Sequence, residues 1–275
     1  MNVRWILQTN IFKEKAVNKI IDCFKRFKIP YDLVKIIPFS NELPEGITEY
    51  NGPTIAYGTT TLLRNISKSE KYYPGMWFDK DKFKPSVWGK KYGNKWLNKD
   101  SKVLKVSEVL DNFESNTPLF IRPNSDWKLF TGDIFQKYEY EKWIKHIEED
   151  NYQNLKLDTE VTISSVKNII GEWRFVIIDK EVITGSQYRL HHQLNVSGKH
   201  TDIPERACDL AYKIAYDNWQ ISSAYVIDIC QTLDGFKIIE VNCFNASGFY
   251  ECDINKIIYN ANLLAEKEWK IKYNE

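Results

Sequence analysis

The pattern that decides the fold lies near the C-terminal end of the sequence, in Tyr225-Val-Ile-Asp-Ile-Cys230 and Ile238-Ile-Glu-Val-Asn242. Both stretches are strongly apolar, and a Leu-Asp-Gly sequence between them is typical of the turn in a β-hairpin. Side chains two residues apart on a strand point to the same face, so Glu240 and Asn242 share a face, which Asp228 can join from the paired strand. Ile239 and Val241 are expected on the opposite face, against a core.

These three polar side chains form a group of oxygen donors within otherwise apolar strands. Burying an acid is costly unless it is paired, so its presence in an apolar strand needs a reason. Mg²⁺ prefers hard oxygen ligands, often one or two carboxylates together with water and substrate phosphates. From the residues alone, two interpretations stay open. Asp228, Glu240 and Asn242 form a magnesium site, or they are a polar face in contact with solvent.

The second half of the chain predicts an α+β arrangement rich in antiparallel strands, including a second hairpin that turns at Asp179-Lys180-Glu181. The predicted strands here are Leu119–Arg122, Thr159–Ser164, Trp173–Ile178 and Val182–Tyr188. The predicted helices are Val103–Asn112, Tyr140–Glu149, Glu205–Asn218 and Ile254–Trp269.

The first third predicts a small α/β unit. Its predicted elements are a strand at Val3–Leu7, a helix at Lys13–Phe27, and strands at Tyr31–Ile37 and Thr54–Tyr57. Residues 71–100 are rich in Lys, Pro, Gly and Trp without a clear period, and they are interpreted as a connector. We therefore predict two domains, one over residues 1–100 that includes this connector and one over residues 101–275.

A basic segment follows one of the predicted strands. Arg122 ends the strand, and Lys128, Thr131 and Gly132 follow in a loop. Arginine offers a rigid fork for phosphate oxygens, lysine a point charge, and a glycine lets backbone N–H groups come close to a phosphate. An ordinary surface loop explains the same residues equally simply.

A second charged group lies on the middle hairpin. Glu172 and Arg174 are two residues apart and share a face, and Arg189 ends the returning strand. The set is either an exposed ladder of ion pairs, which contributes little to stability, or a grip for phosphate or a substrate carboxylate.

Composition narrows the function classes. The chain has 275 residues, 38 basic and 37 acidic, so its net charge of +1 gives no global argument for nucleic acid. A lysine cluster interleaved with tryptophans is interpreted as a solvated linker rather than an anion-binding surface. Its members are Lys80, Lys82, Lys84, Lys90, Lys91, Lys95 and Lys99. With no signal-peptide pattern, no membrane span and scattered cysteines, we expect a cytoplasmic protein with reduced thiols.

Taken in chain order, these pieces resemble the ATP-grasp fold over roughly Leu119 to Tyr250. The motifs are Phe-Ile-Arg-Pro-Asn-Ser-Asp-Trp-Lys-Leu-Phe-Thr-Gly, Gly-Glu-Trp-Arg-Phe-Val-Ile-Ile-Asp, Gly-Ser-Gln-Tyr-Arg, and the last hairpin with its Glu-x-Asn. The Glu-Trp-Arg stretch and an arginine where a lysine is usual, at Arg122, resemble an arginine-rich branch found in bacteria and phages. The resemblance implies two α+β subdomains that grip ATP between antiparallel sheets, preceded by a small α/β domain.

The resemblance also implies roles for individual residues. Asp228, Glu240 and Asn242 would hold Mg²⁺ against the ATP phosphates. The nucleotide would be bound by Arg122 and Lys128 at the phosphates, by Thr162, Ser164 and Val166 beside adenine, and by Glu172. Arg174 and Arg189 would face the transferred phosphoryl group or the acceptor. The chain departs from the family pattern in lacking an extended glycine-rich phosphate loop.

Most members of this family join a carboxylate to an amine through an acyl phosphate, so the implied partners are ATP, a carboxylate-bearing substrate and an amine acceptor, either a small molecule or a peptide. Gly58, Thr59 and Thr60 either line the acceptor site or form a plain turn. The alternatives are a phosphotransferase acting on a hydroxyl, a binding module without turnover, and a nucleic-acid-modifying or protein-modifying enzyme. Partnership with nucleic acid or a membrane is not expected.

Overall fold

The computed structural model describes residues 2–10, 14–37, 40–114, 117–149, 155–191 and 193–273, which hold three β-sheets with helices packed on them. The strands are β1 (Arg4–Gln8), β2 (Tyr31–Val34), β3 (Thr54–Tyr57), β4 (Pro74–Gly75), β5 (Lys102–Lys105), β6 (Leu119–Pro123), β7 (Asp133–Phe135), β8 (Glu160–Ser165), β9 (Gly171–Ile178), β10 (Glu181–Leu190), β11 (Gln193–Ser197), β12 (Ala224–Thr232) and β13 (Gly235–Cys243). The α-helices are α1 (Glu14–Phe27), α2 (Thr60–Ile66), α3 (Pro85–Tyr92), α4 (Lys137–Glu149), α5 (Glu205–Ala215) and α6 (Ile254–Tyr273). In this part of the chain, no helix has both the length and the apolar composition needed to cross a bilayer.

The first sheet is parallel, in the order β2-β1-β3-β4, as expected for an α/β unit. Strand β1 is wholly buried because it lies inside the sheet, with α1 and α6 packed against each other over one face. Strand β2 ends at Val34 rather than at the predicted Ile37. Two positions used in predicting boundaries, Lys13 and Pro38, lie outside the described residues.

The second sheet is antiparallel, in the order β11-β10-β9-β12-β13, and it contains both predicted hairpins. Along β12, Tyr225 and Ile227 pack into the core that contains α5, whereas Val226 packs into the core that contains α6. Because both faces are covered, the central strands read as nearly continuous apolar runs. The turn between β9 and β10 places Asp179 and Lys180 at φ of 50° and 68°, the left-handed region that tight hairpin turns use.

The third sheet is also antiparallel, in the order β5-β8-β6-β7, and it has its own core beneath α4. The predicted helix over Val103–Asn112 is wrong. Residues 102–105 form strand β5, and two short 3₁₀ turns follow at residues 106–108 and 110–112. Pairing with β8, in which Leu104 lies opposite Val161, supplies the segment with backbone partners and overrides its helical pattern.

Residues 71–100 are not a solvated connector. Trp88 is fully buried and its ring centroid lies 5.2 Å from that of Trp96, while the segment forms helix α3. Gly89 allows this packing, since a Cβ there would lie 2.3 Å from the Trp96 ring. Most of the lysines do face solvent, so the lysine pattern and the tryptophan pattern belong to opposite sides of the same segment.

Candidate active site

The last hairpin brings the three predicted metal ligands together. Asp228 lies opposite Glu240, and the Asn242 Nδ2 donates to Asp228 Oδ2 at 3.4 Å. The register shifts after this pair, so that β13 contains a bulge around Ile239. That residue is therefore only partly buried, and the expectation that it faces the core is wrong. Ile238 takes the core position instead.

Arg174 occupies the neighbouring position on β9, opposite Asp228. Its Nε and Nη2 donate to the two Asp228 carboxylate oxygens at 2.8 and 2.6 Å, and its Nη1 donates to the Gly248 carbonyl at 2.6 Å. Burial raises the pKa of the Asp228 carboxyl, against the opposing effect of Arg174. Burial also disfavours the charged guanidinium, yet Asp228 outweighs this and raises the pKa of Arg174. The predicted exposed ladder is thus ruled out at this position, because the pair is buried.

Glu172 and Arg189 form an adjoining polar group that includes two tyrosines. Glu172 is buried and accepts hydrogen bonds from the Tyr188 hydroxyl and from Arg189 Nη1, the latter at 3.3 Å. Tyr188 stacks on Tyr250 with a centroid separation of 4.9 Å, and the Arg174 guanidinium carbon lies 5.0 Å from the Tyr250 centroid. The Arg189 side chain is 47% exposed, so part of its guanidinium faces solvent.

Arg122 links the third sheet to the second. Its Nη2 donates to Glu240 Oε1 at 2.6 Å, which places the predicted phosphate-binding arginine against a predicted metal ligand. Burial tends to raise the pKa of the Glu240 carboxyl, but Arg122, together with Asn242 and Arg174, outweighs burial and lowers it. The carboxylate form of Glu240 is therefore favoured.

The loop between β6 and β7, residues 124–132, is called the phosphate-side loop here. Lys128 within it has φ of 52°, an unfavourable backbone conformation for a side chain with a Cβ, and its Nζ donates to the Ala246 carbonyl at 3.2 Å. Gly132 ends the loop where a Cβ would lie 2.9 Å from the Arg122 Cβ. The loop is thus packed closely and directs its lysine toward the end of β13.

Asp126, which the sequence did not single out, lies in the same loop. Its Oδ2 accepts the backbone N–H of Cys243 at 2.8 Å, and the residue is 6% exposed. Burial raises the pKa of its carboxyl to about 7, with Lys128 and the Cys243 N–H opposing that rise. An aspartate between basic residues in a polar loop gives no sequence signal of burial, so only the fold reveals it.

The predicted adenine-side residues lie on β8 and just after it. Thr162 is buried and lies opposite Arg122 across the β6–β8 pair, so these two side chains share one face of the sheet. Ser164 is also buried, while Val166 follows the end of the strand and is 39% exposed. One face of the third sheet thus joins the predicted adenine-side and phosphate-side residues.

The turn after β3 lies beside the end of β13. The Gly58 N–H donates to the Asn245 carbonyl at 3.0 Å, and Thr59 donates to Gln8 through both its N–H and its hydroxyl. A Cβ at residue 58 would lie 2.7 Å from atoms of Gln8, which explains the glycine. The turn is therefore a packed part of the site's border rather than a loose connection.

The donor set fits a hard cation that also binds phosphate. Among the described residues, no group of three or more His, Cys, Asp and Glu side chains is arranged to hold a metal ion. The candidate set instead contains two carboxylates and one amide, which matches Mg²⁺ when phosphates and water supply the remaining ligands. Both carboxylates carry an arginine partner, so phosphates that draw the arginines away would free carboxylate oxygens for the ion.

Comparison with known structures shows the fold. The chain superposes on the D-alanine–D-alanine ligase of Coxiella burnetii with a TM-score of 0.63, 10% identity, and coverage of 100% of this chain and 98% of that one. The corresponding ligase of Bacillus anthracis complexed with ATP gives 0.58, 13% identity and 98% coverage of both chains. ATP-grasp ligase PsnB, complexed with a phosphomimetic variant of its minimal precursor, Mg and ADP, gives 0.50, 11% identity, and 95% and 99% coverage.

Sequence comparison shows the family. No curated protein sequence matches the chain. A family model described as an ATP-grasp domain, the third family of its clade, matches residues 69–261, which confirms the resemblance and supports an ATP-dependent ligase. The match covers well over half of the chain and includes every predicted site residue. The chain therefore belongs to this family of ATP-grasp proteins.

Proposed function

We propose that the chain is a Mg-ATP-dependent carboxylate–amine ligase. The observation that carries the proposal is the meeting of two carboxylates, one amide and several cationic side chains where the second and third sheets approach each other. Its acids are Asp228 and Glu240, and the cations nearest to them are Arg122 and Arg174. Such a site can hold the phosphates of ATP and offset the negative charge that gathers during phosphoryl and acyl transfer.

Magnesium would be held by Asp228, Glu240 and Asn242, and it would supply a positive charge beside the phosphates. The donor set supports this proposal, and PsnB, one of the similar structures, is complexed with Mg and ADP.

The chain's other residues divide the work of binding. Arg122 and Lys128 meet the phosphates, Thr162, Ser164 and Val166 border adenine, and Glu172 supports the nucleotide side. Arg189, with part of its guanidinium in solvent, is the better placed of the two proposed catalytic arginines to touch a substrate. Arg174 is fully engaged with Asp228 and Gly248, so it acts by holding them in place.

The proposed reaction has two steps. An oxygen of the substrate carboxylate forms a bond to the γ-phosphorus of ATP as the bond from that phosphorus to ADP breaks. The nitrogen of the amine then bonds to the acyl carbon, inorganic phosphate leaves, and the amine gives up a proton. The printed names of the similar ligases, which act on D-alanine or a peptide precursor, support an amino acid or a peptide as acceptor.

We also propose the division into an N-terminal α/β domain over residues 1–100 and an ATP-grasp domain over residues 101–275, and a cytoplasmic location. Gly58, Thr59 and Thr60 then border the acceptor site from the N-terminal side, because they lie beside the end of β13.

The decisive experiment measures ADP release in Mg-ATP against a panel of amino acids and peptides. The variants Asp228→Asn and Glu240→Gln test the site, and Asp209→Asn, an acid on α5 away from the site, is the matched control. We expect acceptor-dependent ADP and phosphate release, with an amide product, in wild type and the control only. A phosphorylated acceptor would identify a phosphotransferase instead, and full activity of both site variants would refute the metal assignment.

A further inference from the structure

The phosphate-side loop is attached to several separate parts of the protein. The Asn124 Oδ1 accepts the Ser86 N–H at 3.0 Å, and its Nδ2 donates to Glu160 Oε2 at 3.1 Å. The Trp127 ring contacts Phe78 edge to face, with centroids 4.6 Å apart. The first half of the loop is therefore held against α3, β8 and the segment before α3.

Asp126 connects this loop to the end of β13. It accepts the N–H of Cys243, the residue that directly follows the proposed metal ligand Asn242. Lys128, two positions farther along the loop, reaches the Ala246 carbonyl just beyond. One side-chain acceptor thus fixes the spacing between a phosphate-binding lysine and the proposed metal site.

Stability alone gives no reason for a carboxyl group at this position. Burying a carboxyl group is unfavourable, and the nearby Glu240 carboxylate adds repulsion. A neutral residue of similar shape would avoid both costs. A buried acid in a loop that also holds Lys128 in a strained backbone conformation points to a demand for position.

We propose that Asp126 is a positioning residue that docks the phosphate-side loop on the Cys243 N–H, so that Lys128 is already in place when ATP binds. The inference rests on the proposed function, because it assumes that the ATP phosphates bind beside this loop. A loop that is ordered in advance lowers the entropy cost of binding. Loss of docking therefore weakens ATP binding more than it slows the chemical step.

Variants at residue 126 separate the role of the acceptor from that of the charge. Asp126→Asn keeps an acceptor oxygen at nearly the same place, whereas Asp126→Ala removes it and Asp126→Ser shortens it. Asp133→Ala is the matched control, since Asp133 lies directly after the loop, is exposed, and accepts only the N–H of the next residue among its described hydrogen bonds.

Two measurements test the proposal on the full chain. Hydrogen exchange without nucleotide reports docking in peptides that cover residues 124–132 and Cys243, and exchange in α6 reports global stability. Michaelis constants for Mg-ATP report the consequence. For the alanine and serine variants we expect roughly tenfold faster loop exchange and a roughly tenfold higher KM for ATP, with kcat changed by less than about threefold. The asparagine variant and the control should stay within about twofold of wild type.

Three results would overturn the proposal. The first is wild-type loop exchange in both the alanine and serine variants. The second is faster loop exchange with an unchanged KM, which would make the docking purely structural. The third is a wild type that binds no Mg-ATP, in which case the proposed function fails with it. The nucleotide-free exchange data distinguish this last case, since they still report whether Asp126 docks the loop.

Discussion

The two arginine–carboxylate pairs of the site are similar in chemistry but differ in where they lie. Arg174 and Asp228 occupy neighbouring strands of one sheet and form two hydrogen bonds, with side chains that are 10% and 2% exposed. Arg122 and Glu240 come from different sheets and share one hydrogen bond at 2.6 Å, with exposures of 12% and 32%. The first pair is part of a sheet, and the second joins two.

This difference assigns different tasks to the two carboxylates. The backbone ladder between β9 and β12 fixes the position of Asp228 whether or not the two sheets move relative to each other. The contact of Glu240 with Arg122 lasts only while the sheets stay close. We therefore expect Asp228 to serve stability and function together, and Glu240 to serve function with little effect on stability.

Asp228→Asn should have the largest effect. It leaves the Arg174 guanidinium buried without its counter-charge and removes a proposed metal ligand. We expect the unfolding free energy to fall by about 3 kcal/mol and turnover to fall roughly a thousandfold. Urea unfolding and ADP release measure the two losses. A loss of turnover without a loss of stability would contradict the structural half, and Asp209→Asn controls for removal of an acid.

Glu240→Gln should separate the two properties. Because the Glu240 side chain is 32% exposed and has one arginine contact, its loss should change the unfolding free energy by no more than ~1 kcal/mol. Turnover should still fall about a hundredfold, with a higher Mg²⁺ requirement, since a ligand is removed. Mg²⁺ titration of the rate checks this. Equal destabilisation by the two substitutions would erase the distinction between the pairs.

The sequence predicted the elements that have a clear period and failed where packing decides. Both hairpins of the second sheet were predicted, because buried central strands keep a continuous apolar run whatever covers them. Residues 102–105 became a strand only because β8 offers an edge with which they pair. The role of Gly89, which makes room for a tryptophan ring, cannot be seen without the partner ring.

The same division holds at the site. The i, i+2 spacing of Glu240 and Asn242 placed two polar groups on one hairpin, and the structure confirms that they meet Asp228. The Arg174–Asp228 pair depends on which strand lies beside β12, and local spacing does not contain that information. Asp126 was missed for the same reason, since its partner is 117 residues away along the chain.

Arg122→Lys sharpens the comparison at the more exposed pair. It keeps the positive charge and introduces the residue usual in the family, but it loses the rigid fork that reaches both Glu240 and the proposed phosphates. We expect a roughly tenfold rise in the KM for ATP and little change in stability. A matching Arg174→Lys should destabilise the protein clearly, and equal behaviour of the two lysine variants would argue against the assigned difference.

Asp126→Asn should have the smallest effect on turnover, and it extends the comparison to a carboxyl group whose described hydrogen bond comes from a backbone amide. Its pKa is raised from 3.8 to about 7 in the folded protein, so the native state binds a proton more tightly than the unfolded state. Stability therefore falls as pH rises from about 4 to about 7. Since one pKa unit is worth ~1.4 kcal/mol, the loss from this group is at most about 4 kcal/mol.

The asparagine variant cannot lose a proton at this position, so the contribution of Asp126 to the pH dependence should vanish. Below pH 4 the two proteins should be similar in stability, and above pH 7 the variant should be the more stable by up to about 4 kcal/mol. Urea unfolding of both proteins from pH 4 to pH 8 measures the difference. Parallel curves would mean that Asp126 titrates alike in the folded and unfolded states, and a less stable variant at pH 8 would mean that the buried carboxylate is held more strongly than its surroundings indicate.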